Sequence, residues 1–238
     1  MNFRLIIMPF AICAFSASSA IAQGCGCNDS ACGCCDCSGN CLLSTIDGCC
    51  GVSPIVIDLG GKGFALTSAE KGVDSDFFGN GRKIRVAWTA ASSQNAWLVL
   101  DRNQNGRIDD ATEMFGNLTA QSSNTHRNGF LALAEFDKPE NGGNGDGIID
   151  ARDQVFARLR LWVDNNHNGV SEPSELLKLS DVGILGISLQ YTFSQIKDQF
   201  GNSFRYKGNI VTGRGADDGK VIYDVFLTTA HYTSNTTN

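Results

Sequence analysis

The chain has 238 residues, enough for one ordinary domain with a tail or for two small ones, and its 42% hydrophobic content is that of a fold with a packed core. A net charge of −6 excludes binding to nucleic acid or anionic lipid through bulk charge and suits a protein that collects cations. With 27 Gly and only 4 Pro, turns fall to Gly and Asn rather than to rigid linkers.

Arg4, the apolar run Leu5 to Phe15 and the small-residue stretch ending Ala20-Ile21-Ala22 read as a cleavable secretory signal over 1–22. The apolar run is far short of the roughly 20 residues a membrane span needs, and no later run is long enough. Loss of 1–22 removes Arg4 and no acid, taking the net charge from −6 to −7.

Nine cysteines follow between 25 and 50: Cys25, Cys27, Cys32, Cys34, Cys35, Cys37, Cys41, Cys49 and Cys50. None follows Cys50, so 23–52 reads as a separate Cys-rich module and 53–230 as a domain that folds without disulfides. An oxidising compartment favours a disulfide knot, and C-x-C and C-C spacings also suit a soft-metal thiolate cluster, the mark of a metal-sequestering protein. The odd thiol stays free, pairs elsewhere or is modified; Ala22-Gln23-Gly24-Cys25 faintly resembles a lipoprotein box, with lipidation at Cys25.

Ser53 to Leu59, Lys83 to Ala90 and Ala96 to Leu100 read as strands. Phe130 to Phe136, then Val155, Phe156, Leu159 and Trp162 at helical spacing, then Leu176, Leu177 and Leu179, alternate with Asp/Asn/Gly loops in a loop, helix, loop, helix pattern. Ile184 to Tyr191, Ser203 to Val211 and Lys220 to Thr228 read as a β-meander, and 231–238 as a disordered tail. The expected fold is α+β, with EF-hand- or dockerin-like loop-helix calcium motifs flanked by strands.

A hard cation takes six to eight oxygens, and D-x-[DN]-x-[DN]-G-x₅-E brings them together: alternate side chains converge, a Gly allows the turn, a carbonyl adds a ligand and a late carboxylate closes the sphere. Asp164 to Glu175 matches position for position, through Asp164, Asn166, Asn168, the Val170 carbonyl, Glu172 and Glu175. In the first loop Asp101, Asn103, Asn105, the Arg107 carbonyl and Asp109 fall in register, with Glu113 one residue late because Thr112 holds position 12. The second loop offers Asn144, Asp146, the Ile148 carbonyl, Asp150 and Asp153. Its first position is Gly142, so Asp137, ahead of the insert Lys138 to Gly143, is the residue available to fill it. Ca²⁺ is the expected ion and Mg²⁺ the runner-up; the alternative is that these are ordinary Asn-Gly and Asp-Gly turns. His167 holds a loop position that normally points to solvent, and Trp88, Trp97 and Trp162 belong to apolar runs expected in the core. No hydrolase, P-loop, zincin or dinucleotide motif is present, so no catalytic residue is assigned.

Four segments in order, Ala96-Trp97-Leu98-Val99-Leu100-Asp101-Arg102-Asn103, Gly129 to Leu133, Asn144 to Asp150 and Leu159 to Asp164, resemble bacterial RTX-type exported proteins, and more narrowly the calcium-dependent self-processing module of the iron-regulated Frp-like proteins. The resemblance covers about Pro54 to Tyr206 and implies a module that folds around Ca²⁺ and cleaves an Asp-Pro bond at its own N-terminal edge. Here Pro54 is preceded by Ser53, and no Asp-Pro bond occurs anywhere. The resemblance also implies a further loop at Asp58 to Gly63, where Gly60 and Lys62 stand in place of acids and no calcium is expected. The resulting expectation is a calcium-binding protein that works outside the cytoplasm, secreted, periplasmic or at the cell surface. Autocatalytic processing is the alternative, and the sequence names no protein partner.

Overall fold

The run Ser53 to Leu59 is apolar at successive positions, not at alternate ones, which is what a strand covered on both faces needs. The computed structural model, which describes residues 51–124, 126–213 and 220–230 together with the backbone of β1 (Cys34–Cys35) and β2 (Cys41–Leu43), an antiparallel pair, places this run at the middle of a sheet. The signal, the possible lipidation at Cys25, the state of the cysteines at 25–50 and the tail 231–238 lie outside the described residues.

In chain order the remaining strands are β3 (Ile55–Asp58), β4 (Val73–Ser75), β5 (Ile84–Val86), β6 (Asn95–Val99), β7 (Ile148–Asp150), β8 (Arg160–Trp162), β9 (Leu176–Lys178), β10 (Ile184–Lys197), β11 (Ser203–Thr212) and β12 (Val221–Phe226). Eight form one sheet in the order β7-β10-β11-β12-β3-β6-β8-β9, every neighbour antiparallel, while β4 and β5 pair separately. Side chains alternate across the sheet. On one face Ile55, Ile57, Leu98, Leu161, Ile187 and Ile222 pack with Phe130 and Leu133 of α1 (Gly129–Ala134). On the other, Val56, Trp97, Val99, Trp162 and Val225 pack with Trp88 and Phe77. Each fully buried aliphatic side chain stabilises by roughly 1.5–3 kcal/mol.

The architecture corrects the α+β expectation with its EF-hand-like helices: the protein is mostly β, and α1, capped by the Asn128 side chain accepting from Leu131 N at 3.0 Å, is the one α-helix among the described residues. Val155, Phe156 and Leu159 lie in consecutive turns, and Trp162 lies on β8, where it pairs with Trp97 and Leu176. Leu176 and Leu177 lie on β9. The apolar spacing that mimics a helix arises because Val155 and Leu159 cover one face of the sheet and Trp162 the other. Partners far away in sequence decide the strand state, which local propensity does not register. Of Lys83 to Ala90 only Ile84–Val86 is a strand. The C-terminal meander forms as read, with β10 running further, to Lys197.

Candidate metal centre

Each of the three loops is closed by two carboxylates that accept main-chain N–H groups. At the start, Asp101 accepts from Asn105 N (3.1 Å) and Gly106 N (2.7 Å), and Asp164 from Asn168 N (3.1 Å) and Gly169 N (2.8 Å). In the second loop the corresponding acceptor is Asp137, which reaches over the insert to Gly145 N (3.1 Å) and Gly147 N (2.9 Å). At the end, Glu113 bridges Arg102 N (2.8 Å) and Asp109 N (2.9 Å), Glu175 bridges Asn165 N (2.9 Å) and Glu172 N (3.4 Å), and Asp153 bridges Asn144 N (3.1 Å) and Asp150 N (2.8 Å). Thus Glu113, although one residue late, holds the same place in its loop as Glu175.

The backbone repeats as well. Positions 4 and 6 are left-handed in every loop: Gln104 (φ 60°) and Gly106 (83°), Gly145 (75°) and Gly147 (83°), His167 (58°) and Gly169 (67°). Gln104 and His167 carry side chains in a conformation that costs roughly 1–2 kcal/mol. His167 does not point to solvent: Nδ1 lies 2.7 Å from Thr89 O and Nε2 2.7 Å from Lys71 O, contacts that offset its strain. The side-chain amides of Asn103, Asn105, Asn166 and Asn168 turn inward onto Asp109 and Glu172. Asp109 is held below the usual carboxylate range by the Asn103 and Asn105 amides. Half a turn of a carboxamide offers an oxygen to the same space. Arg107 and Val170 are exposed at position 7, and Ile148 begins β7. Among the described residues no three His, Cys, Asp or Glu side chains gather in a metal-holding group; the donor set mixes carboxylates with amide and main-chain oxygens, the set a hard cation takes.

The third loop stands out electrostatically. Its end carboxylates are sunk into the tryptophan core: Trp88 Nε1 donates to Asp164 Oδ2 at 2.8 Å and Trp162 Nε1 to Glu175 Oε2 at 3.2 Å. The tryptophans are core, as expected, yet they also fix two acids. Burial raises the Glu175 carboxyl above its ordinary value, the adjoining Glu172 carboxyl raises it further, and Glu172 is lowered in turn by that contact with Glu175 and by the amides of Asn168 and Asn166. Glu172 Oε2 is buried with no hydrogen-bond partner. Two acids against each other and an orphaned oxygen are relieved by a proton or by a cation.

The first and third loops touch at position 8 of each: Ile108 N donates to Ser171 Oγ at 2.7 Å, and both residues are buried. The second loop is tied elsewhere, its Ile148–Asp150 pairing with Gly186 to Ser188 of β10. There Arg152 bridges Asp146 and Asp150 at 2.6 Å each, placing a guanidinium where an ion would bring charge. If this loop takes a calcium ion, Arg152→Gln is expected to strengthen that binding by up to about 5-fold at low ionic strength, an advantage that shrinks as salt screens the exposed pair. Calorimetric titration at two salt concentrations checks this, and unchanged affinity at both would rule it out.

Two more turns share the opening geometry. Asp58 accepts from Gly60 N (3.1 Å) and Gly63 N (2.6 Å), and Asp76 from Phe78 N (3.0 Å) and Gly81 N (2.6 Å). The Asp76 turn was not singled out in the sequence; its signal is Asp76 with Asn80-Gly81, masked by Phe78 at the third position. The Asp76 turn has no late acid in sequence; the Asp58 turn has Glu70 at the offset that Glu113 holds from Asp101, with Glu70 exposed.

The family model described as the SPM domain matches residues 55–228, the whole of the large sheet and all three loops. The chain is also similar to a protein named Iron-regulated protein FrpA, from Neisseria meningitidis serogroup C, with 34% identity over 164 residues. That match covers 68% of this chain and 14% of the relative, so the two share a module within a much longer protein.

Proposed function

Because this chain belongs to the SPM domain family, and because its loops are closed alike, we propose that it is a calcium-binding module that is exported and gains stability from calcium outside the cytoplasm. The observation that carries this reading is the Glu172–Glu175 pair, two acids pressed together with a buried oxygen left over. Asp164, Asn166, Asn168, the Val170 carbonyl, Glu172 and Glu175 would hold one ion. Asp101, Asn103, Asn105, the Arg107 carbonyl, Asp109 and Glu113 would hold a second. Asn144, Asp146, the Ile148 carbonyl, Asp150 and Asp153 would hold a third, with Asp137 at its first position. The ion supplies positive charge that relieves carboxylate repulsion, so binding to the folded state adds to its stability. Export is supported by Arg4, the apolar run and the Ala20-Ile21-Ala22 end.

Calcium titration of the full chain by calorimetry, with tryptophan emission followed in parallel, tests the reading. The expected result is saturable heat together with a change in emission, since Trp88 and Trp162 bond to Asp164 and Glu175. No heat and a melting temperature indifferent to chelator would mean that the loops are turns only. Self-processing at the N-terminal edge is a second reading, favoured by family membership. It is weakened because Ser53, a hydroxyl and not a carboxyl, precedes Pro54. An intact mass unchanged after calcium addition removes it.

A further inference from the structure

Strand β10 is long, and only its first part is covered. Gly186 to Ser188 pair with β7, Leu189 N reaches Gly147 O, and beyond that no described strand lies on the outer side of Gln190 to Lys197. Natural sheet edges are guarded by charge, proline or bulges turned to solvent, because a bare row of N–H and C=O groups recruits another strand. This edge has one charged residue, Lys197 at its far end; its register against β11 shifts between Phe193 and Ile196, and Gln190 N and Ile196 N donate to Ser188 Oγ (3.2 Å) and Ser194 Oγ (3.3 Å), so it is guarded only in part, and it carries Phe193 at 65% and Ile196 at 57% exposure. Its residues border a groove whose floor is aromatic: Tyr191 packs edge-on to Tyr206 (5.3 Å between ring centres), and Phe193 lies 6.2 Å from the same ring. The charged walls are Lys197 and Arg205, with His126 nearby and no carboxylate among the described residues that line the groove, although Asp198 follows Lys197 in the chain, whose net charge is −6. The Arg205 guanidinium lies over the Phe226 ring at 4.2 Å, which holds it in place.

We propose that the open edge Gln190 to Lys197 and this groove form a docking surface for an extended acidic peptide of a partner protein, which adds a strand to β10. Main-chain hydrogen bonds along the edge supply affinity for any extended chain, while the groove supplies selectivity. Apolar side chains of the peptide pack on Tyr191, Phe193 and Tyr206, and its carboxylates face Lys197 and Arg205. The local excess of positive charge also steers acidic segments toward a protein that otherwise repels them. The surface uses none of the residues of the three loops, so the proposal stands or falls independently of calcium binding.

The test uses the full chain in excess calcium, with an end-blocked hexapeptide, Glu-Val-Glu-Phe-Glu-Val, and its counterpart with Lys in place of Glu. Affinity is read by calorimetry and the edge by amide hydrogen exchange. The acidic peptide is expected to slow exchange on the open edge of Gln190 to Lys197 at least 10-fold and the basic peptide to leave it unchanged. Lys197→Glu is expected to weaken the acidic peptide about 10-fold, and Phe193→Ser to weaken it similarly. Both residues are exposed, so the melting temperature should stay put. No protection, or equal protection by both peptides, overturns the proposal. So does an edge already protected without peptide: protection that grows with protein concentration assigns the edge to a second copy, and protection independent of concentration assigns it to the chain's own residues.

Discussion

Glu175→Gln is expected to weaken calcium binding at the third loop by at least about 100-fold and to abolish the part of the calcium-induced rise in melting temperature that this loop supplies. Loss of a residue that merely orients a metal ligand costs 10–100-fold, and Glu175 is assigned as a ligand itself, so about 100-fold is a floor. The substitution keeps shape but has one oxygen for the three donors that Glu175 serves, Asn165 N, Glu172 N and Trp162 Nε1, so part of the loop's closure is lost in the metal-free protein as well. It also removes one member of the crowded Glu172–Glu175 pair, which offsets part of that loss, so the calcium-induced shift, and not the metal-free melting temperature, is the readout. An ion present at 1,000 times its dissociation constant adds about 4 kcal/mol, or roughly 8–16 °C for a domain of this size. The measurement is thermal unfolding of both proteins in calcium and in chelator. Identical calcium-induced shifts in the two would remove Glu175 from the site.

Asp224→Asn is expected to flatten the pH dependence of stability and to stabilise the protein above neutral pH. Asp224 lies on β12, fully buried, with Oδ2 accepting from Gly129 N at 2.9 Å and Oδ1 without an aligned partner. Burial pushes its carboxyl up to about 7, against the opposing pull of the Gly129 amide, the Ser53 hydroxyl and the Arg205 charge. Folding therefore raises this group's affinity for a proton. The stability it supports is fully present below the ordinary carboxylate value near 4 and is lost as pH rises to about 7, where the folded state too gives up the proton. A rise of about 3 pH units corresponds to about 4 kcal/mol lost across that window. Asp109, held down by the Asn103 and Asn105 amides, and Glu135, which Lys138 holds down at about 2, change stability in the opposite sense, while Glu175, raised by burial, changes it in the same sense as Asp224. The difference between parent and variant in chelator, from pH 4 to pH 8.5, isolates Asp224. A difference that does not vary with pH would mean that the group does not titrate in this range.

Much of the sheet is legible in the sequence for definite reasons. Ile55 to Ile57 and Ala96 to Val99 are apolar without interruption because both faces of β3 and β6 are covered, and β11 alternates exposed and buried residues along one partly solvated strand. The three loops are legible because Asx turns and left-handed Gly demand particular residues at fixed offsets. The helix expected within Phe130 to Phe136 forms as α1, whereas those expected at Val155 to Trp162 and at Leu176 to Leu179 do not, because spacing of three and four also results when a chain of turns leads into a strand, as from Val155 through Leu159 to Trp162. What decides there is Trp97 on β6 and Leu176 on β9, and no local window contains all three. The indole bonds to Asp164 and Glu175 are hidden for the same reason: Trp88 is 76 residues from Asp164. Asp137 could be named as a candidate, since the vacancy at Gly142 shows in the spacing; that it reaches over its insert depends on the turn at Pro139–Asn141.

The bond between Ile108 and Ser171 makes the first and third loops neighbours in energy as well as in space. Each loop anchors the middle of the other, so an ion that stiffens one leaves less disorder for the second ion to remove. If both loops hold an ion as proposed, sites linked in this way would fill together over a narrower range of ion concentration than independent sites do, with an expected Hill coefficient above 1. A chain carried from a calcium-poor compartment to a calcium-rich one would then change at a threshold rather than by degrees, while the second loop, anchored apart on β10, follows its own curve.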